Sequence, residues 1–172
     1  MMERQQTSED AVMTRIGQAV MLLHAGDREE ARNRFGALWT EIGETGDTLH
    51  RCTLAHYMAD TQDDPGDELA WDLRALTAAD GYGHGEGGRG GYGRDTDGAQ
   101  GETSAASAVR AFYPALHLNL AADYLKLQRP EAARLHLDRA RAAADALGDG
   151  GYGQGVWAGI DRLERSLRSR GQ

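Results

Sequence analysis

The feature that most constrains this chain is the spacing of small and large side chains over residues 117–140, HLNLAADYLKLQRPEAARLHLDRA. Leu120, Ala121 and Tyr124 fall at helical spacing in one segment; Ala133, Leu137 and Ala140 do so in the next, beyond Arg129-Pro130. Apolar residues recurring every three or four positions specify amphipathic helices. Two antiparallel helices approach closely only where small residues meet, here Ala121 and Ala133, with larger residues filling the space around the contact. The segment therefore reads as a tightly packed helix pair.

The same spacing returns upstream. Ala31, Phe35 and Leu38 repeat the mutual distances of Ala133, Leu137 and Ala140, which places Ala19 and Leu22 where Ala121 and Tyr124 stand. A rival register through Ile16-Gly17-x2-Val20, with a longer loop, also satisfies the pattern. Between these pairs, Leu54-Ala55-x2-Met58 followed by Leu69, Leu73 and Leu76 forms a degenerate third example that needs a longer turn.

Start and stop signals divide the chain further. Thr7-Ser8-Glu9-Asp10 resembles a capping box opening the first helix, with Val12, Ile16, Ala19, Val20 and Leu23 as its apolar stripe. Asp27, Asp47 and Asp64-Pro65 are helix starts, and Gly26, Gly43 and Gly46 are breaks. Ser104 is placed to cap a long helix through Phe112 and Tyr113, which Pro114 is expected to kink or restart. Residues 81–102 hold ten glycines in 22 positions and no periodic apolar face, so a flexible, disordered insertion is expected there. After a glycine-rich break at 148–155, Val156, Ile160, Leu163 and Leu167 make the stripe of a last amphipathic helix. Seven helices follow: three pairs and a terminal cap.

The tetratricopeptide (TPR) repeat has the form W-x2-L-G-x2-Y…A-x3-F. Leu120, Tyr124 and Ala133 match it, Ala121 stands for the glycine and Leu137 for the aromatic, so this unit resembles a TPR. The whole chain resembles the small TPR-like proteins of actinobacteria, on HRCTLAHYMADTQDDP, ELAWDLRALTAAD, AFYPALHLNLAADY and Gly159-Ile160-Asp161-Arg162-Leu163. The resemblance implies an all-α, right-handed TPR-like array. Two repeats would occupy 7–80, the insertion 81–102, a third repeat 103–147 and a capping helix 153–169.

It also implies a non-enzymatic interaction module that takes a peptide or helix of a protein partner in its concave face. The first helix of each pair would line that face with Met13, Ile16, Val20 and Leu23; Leu49, Cys52, His56 and Ala59; and Ala115, Leu118, Ala122 and Leu125. Met13, Ile16, Val20, Cys52, His56, Asp60, Leu118 and Leu125 are the expected partner contacts, with His56 and Asp60 supplying polar selectivity. Such an apolar lining is rarely left open. A partner, a second copy in a homodimer, or the chain's own terminal helix would cover it. The resemblance brings no catalytic residue, cofactor or metal.

Composition narrows the partners. A net charge of −8 disfavours a nucleic-acid binder, which needs a basic stripe to displace counterions. Six acids and no base lie over residues 60–72, where a solvated acidic face is expected. No apolar run is long enough to cross a bilayer and the polar start, MMERQQTSED, has no apolar core, so the cytoplasm is the expected compartment. One cysteine excludes an internal disulfide framework.

Three motifs carry chemical alternatives. Gly83-x-Gly85-x2-Gly88 matches the dinucleotide fingerprint in letters, but follows a helix rather than a strand. Asp95-x-Asp97-Gly98 has part of a calcium loop without its first and last carboxylates. Cys52, His56 and Asp60 share a helix face that His50 and His117 could approach, which would suit a metal or a nucleophile. Hydrogen bonding between helices is the expectation for His56 and His117. Asn119 and Asp123, four apart, are expected to bond within their helix or to its neighbour.

Overall fold

The structure, a computed structural model, describes residues 2–85, 99–148 and 153–171, with side chains over 11–81, 107–148 and 155–171. Seven α-helices account for nearly all of these: α1 (Met2–His24), α2 (Arg28–Ile42), α3 (Thr48–Asp60), α4 (Pro65–Gly85), α5 (Ala99–Lys126), α6 (Pro130–Leu147) and α7 (Gly153–Arg170). No strand occurs among the described residues. Four boundaries depart from expectation. Helix α5 opens at Ala99, upstream of the Ser104 expected to cap it. The Thr7–Asp10 box lies inside α1 rather than at its start. Helix α5 runs on through Pro114 instead of restarting there. The insertion expected over 81–102 is helical at both ends, to Gly85 and from Ala99, and its remainder lies outside the described residues, with the Gly88 and Asp95–Gly98 motif positions.

The caps follow the sequence chemistry. Asp27 accepts from the Glu30 N–H, and Asp47 from the His50 N–H. Asp64 Oδ1 accepts from the N–H groups of Gly66 at 2.8 Å and Asp67 at 3.2 Å, with Pro65 opening α4. Each such cap contributes about 1 kcal/mol by satisfying donors that the first turn leaves free.

The first and third turns are built alike. Gly26 N–H bonds the Leu23 carbonyl and Asp27 N–H the Leu22 carbonyl; Gln128 and Arg129 bond Leu125 and Tyr124 in the same way. Both turns need a left-handed residue, which is Gly26 at φ 92° in one and Gln128 at φ 60° in the other. The middle turn differs: Thr61 stays right-handed, and its N–H bonds the Met58 carbonyl.

Short turns make sequential helices antiparallel. Arg28, opening α2, pairs with Asp63 just beyond α3 at 3.1 Å, and Lys126, closing α5, meets Glu68 at the start of α4 at 2.7 Å. Each helix packs on the next, and α1, α3, α5 and α7 also touch in succession. Among the described residues no close backbone approach joins α2 to α4 or α4 to α6, though the Trp39 and Trp71 rings meet between α2 and α4. The odd-numbered helices therefore share one side of the array.

The core has three parts. Ile16, Ala19, Ala31, Phe35, Leu38, Leu54 and Met58 join α1, α2 and α3. Cys52, Ala55, Ala75, Ala79, Val109 and Leu116 join α3, α4 and α5. Ala121, Leu125, Ala133, Leu137, Ala140, Ala144, Ile160 and Leu167 join α5, α6 and α7. Ala19 is fully buried against α2 while Gly17 is exposed, which selects the Ala19 register over the Ile16-Gly17 one.

Helix α4 corrects the reading of the middle pair. Leu73 is 37 % exposed, and the buried positions are Asp72, Ala75 and Ala79. Glu68, Asp72 and Ala75 carry the Ala31, Phe35, Leu38 spacing, so an aspartate stands where the first pair has Phe35 and the third has Leu137. The expected acidic face over 60–72 is thus not uniform: Asp63, Asp64 and Asp67 face solvent, and Asp72 is inside.

At the far end α7 lies close on α5. A Cβ added at Gly159 would sit 2.5 Å from Leu118 Cδ2. Gly159→Leu should therefore destabilise the fold by about 1–3 kcal/mol through overpacking. In urea unfolding, adding Leu118→Ala should recover part of that loss; equal losses with and without it would show that the two side chains do not meet.

Candidate functional site

Where α3, α5 and α7 face one another they enclose a cavity of about 550 Å³. His56 and Tyr57 come from α3, Ala108, Ala111, Phe112 and Ala115 from α5, and Gly155 and Val156 from α7. The alanines recur at helical spacing along α5 and hold the space open, because no side chain there reaches across. Phe112 stands edge-on to His56 with ring centroids 6.0 Å apart, and Tyr57 likewise at 5.2 Å. His56 is thus the polar point in an aromatic and methyl-lined hollow.

Behind His56 lies a buried polar network that the sequence reading did not assemble. His56 Nδ1 is 3.3 Å from the Asn119 side-chain nitrogen and 3.8 Å from Asp72 Oδ1. Asp72 on α4 and Asp123 on α5 are each 1 % exposed, and their carboxyl groups hydrogen-bond each other. Glu68, held by Lys126 at 2.7 Å, and Asp60 at the end of α3 complete the group. Neither Asp72 Oδ1 nor Asp123 Oδ2 meets an N–H or hydroxyl donor. Two buried carboxyls in that position cannot both ionise, so one keeps its proton. Burial first, then the charge and hydrogen bond of Asp72 and the charge of Glu68, push the Asp123 carboxyl up to about 9, against the opposing pull of Lys126. Asp60 keeps solvent access, yet its crowded setting raises its carboxyl too; burial leads, His56 opposes it, and Asp72 and Glu68 add to it.

On the other side of α5 a second polar contact joins α6. His117 Nδ1 lies 3.1 Å from His136 Nδ1, and the two rings stack in a ladder with Tyr113 outside one and Tyr124 outside the other. One nitrogen of that close pair must be bare to accept the other's proton. Burial, then His136 and Arg139, lower His117 to about 4; burial and Arg139 lower His136. Both imidazoles are neutral at pH 7.

The eight expected partner contacts do not form one surface. Ile16, Cys52 and Leu125 are buried in the core, because α2, α4 and α6 respectively pack over them. Leu118 is half-buried against α7, the chain's own terminal helix. Val20 packs against the first core, and Met13 is 39 % exposed on α1. Of the set, His56 lines the cavity, and Asp60 stands at the end of its helix. Cys52 is sealed, and burial with the nearby Asp72 charge pushes its thiol up to about 12, so it holds no thiolate for attack or metal binding. Among the described residues no group of three or more His, Cys, Asp and Glu is placed to hold a metal ion. Nor is any described helix long and apolar enough to cross a membrane.

The two buried contacts give proton linkage of opposite sign. Between about pH 4 and 9 the folded chain keeps an Asp123 proton that the unfolded chain releases, so stability falls as pH rises across that window. Between about pH 6.5 and 4 the unfolded chain takes up protons that His117 refuses, so stability falls as pH drops. Asp123→Asn replaces the retained proton with an amide donor. Its melting temperature, relative to the parent, should climb steadily from pH 6.5 to 9; a constant difference across that range would show that Asp123 ionises normally.

No family model, no curated protein and no solved structure matches this chain.

Proposed function

We propose that this chain is a TPR-like, non-enzymatic interaction module that takes an apolar face of a partner peptide or helix into the groove between α3, α5 and α7. The single observation that carries this reading is the open, apolar cavity of about 550 Å³ on the side shared by the odd-numbered helices. Its lining is methyl and aromatic, with one imidazole for orientation, which suits a side chain of a docking helix. The matching first and third turns and the recurrent alanine contacts support a repeat architecture of the TPR kind. The sealed Cys52 weakens the reading of a thiol enzyme or thiolate metal site. His56, Phe112 and Ala115 take over the contacting role that the sequence assigned more broadly.

Ala115→Arg would fill the groove from a position that is only half-buried. Displayed-peptide selection on the intact chain should yield peptides with an apolar helical face, and Ala115→Arg should weaken them at least about tenfold, the loss of one well-placed anchor. Peptides whose affinity is the same for both proteins would place the binding surface elsewhere. A dimer by light scattering that Ala115→Arg converts to a monomer would favour a second copy as the occupant.

A further inference from the structure

A second cavity, of about 880 Å³, opens between the end of α2, the start of α3 and the outer side of α4, and shares no lining residue with the His56 groove. At its edge Trp39 and Trp71 meet edge to face, with centroids 5.2 Å apart and planes at 85°. Each indole carries a guanidinium on its face: Arg51 lies 4.8 Å over Trp39, and Arg74 lies 4.5 Å over Trp71. Both arginines line the cavity. Arg51 gives one N–H to the Gly43 carbonyl. Neither arginine has an ion pair among the described residues, in a chain with 27 acids against 19 bases.

That pairing is unusual on electrostatic grounds. A guanidinium laid on an indole is held by its flat face, so the N–H groups around its edge remain free and oriented. Both guanidinium groups line one cavity, whose only lining carboxylate among the described residues is that of Glu44. Asp47, nearby in sequence, is engaged with the His50 N–H as the cap of α3. Leu73, 37 % exposed, supplies an apolar wall and Thr48 a hydroxyl, while Thr77 gives its hydroxyl proton to the Leu73 carbonyl. Pockets of roughly 300–1,000 Å³ are the usual size for small-molecule sites.

We propose that this cavity binds a small organic anion, a carboxylate or phosphate head on an apolar body, with Arg51 and Arg74 gripping the head and Leu73 the body. Oxyanions that present two oxygens side by side suit the guanidinium edge because two parallel N–H bonds form at once. Carboxylate and phosphate share that chemistry, and the choice between them is made by titration.

Isothermal titration of the full chain with 1-naphthyl phosphate, 1-naphthoate and uncharged 1-naphthol tests the assignment. At least one anion should bind roughly tenfold or more tightly than the naphthol, the effect of a charge-assisted hydrogen bond. The tighter anion identifies the head. Arg74→Gln should abolish that preference, and Arg51→Lys, which keeps the charge but loses the fork, should weaken it. Because Arg74 makes no hydrogen bond among the described residues, its replacement should shift the circular dichroism melt by no more than the loss of one exposed cation–π contact. Equal affinity for naphthol and both anions, no heat from either anion at millimolar concentration, or an anion preference surviving in folded Arg74→Gln would each overturn the proposal.

Discussion

Everything in this fold rests on the close approach of helices at alanine. Ala19 meets α2 through Ala31, and Ala121 meets α6 through Ala133, all at 1 % exposure or less. A methyl in each position lets two backbones come together and brings Phe35, Leu38, Leu137 and Ala140 into contact with the facing helix. The same closeness forces short turns, which in turn require left-handed backbone at Gly26 and Gln128. Alanine spacing, turn geometry and the order of neighbours are thus one constraint seen at three scales.

The middle pair departs from that scheme at a single core position. Where its neighbours bury Phe35 and Leu137, it buries Asp72, and Asp123 crosses from α5 to share a proton with it. An apolar pair of similar volume would hold α4 to α5 at least as well, since buried ionisable groups rarely add net stability. What the polar pair provides instead is direction. Asp72 fixes the depth of α4 against α5, Lys126 ties Glu68 to the same end, and Asn119 orients His56 toward the groove.

The helices were legible because each carries its own period and cap: Asp27, Asp47 and Asp64-Pro65 mark starts that the structure keeps. The seven-helix order was legible for the same reason. The middle register was not, because Leu69, Leu73 and Leu76 repeat the apolar spacing that Glu68, Asp72 and Ala75 occupy in space. A periodic pattern cannot tell a leucine stripe half-open to solvent from an adjacent stripe that buries a carboxylate. Ala55 to Glu68 spans 13 positions against 12 from Ala19 to Ala31, and that extra residue shifts the face. The inner-face residues were over-assigned for a related reason. In a short array each odd helix also packs on the even helix beside it, so Ile16, Cys52 and Leu125 point inward to the core rather than to a partner.

Helix α5 is where these constraints converge. It touches α3, α4, α6 and α7, and it carries Asp123 toward α4 and His117 toward α6. The two contacts answer to protons in opposite ways. The carboxyl pair is satisfied only while one proton stays, and the imidazole pair only while an extra proton is kept out. Acid therefore loosens the α5–α6 side and alkali the α4–α5 side, and both are satisfied together near neutrality. Ala111, Phe112 and Ala115, which shape the groove, sit on that same helix. The geometry of the groove thus depends on how α5 is seated between two polar contacts as well as on the alanines that line it.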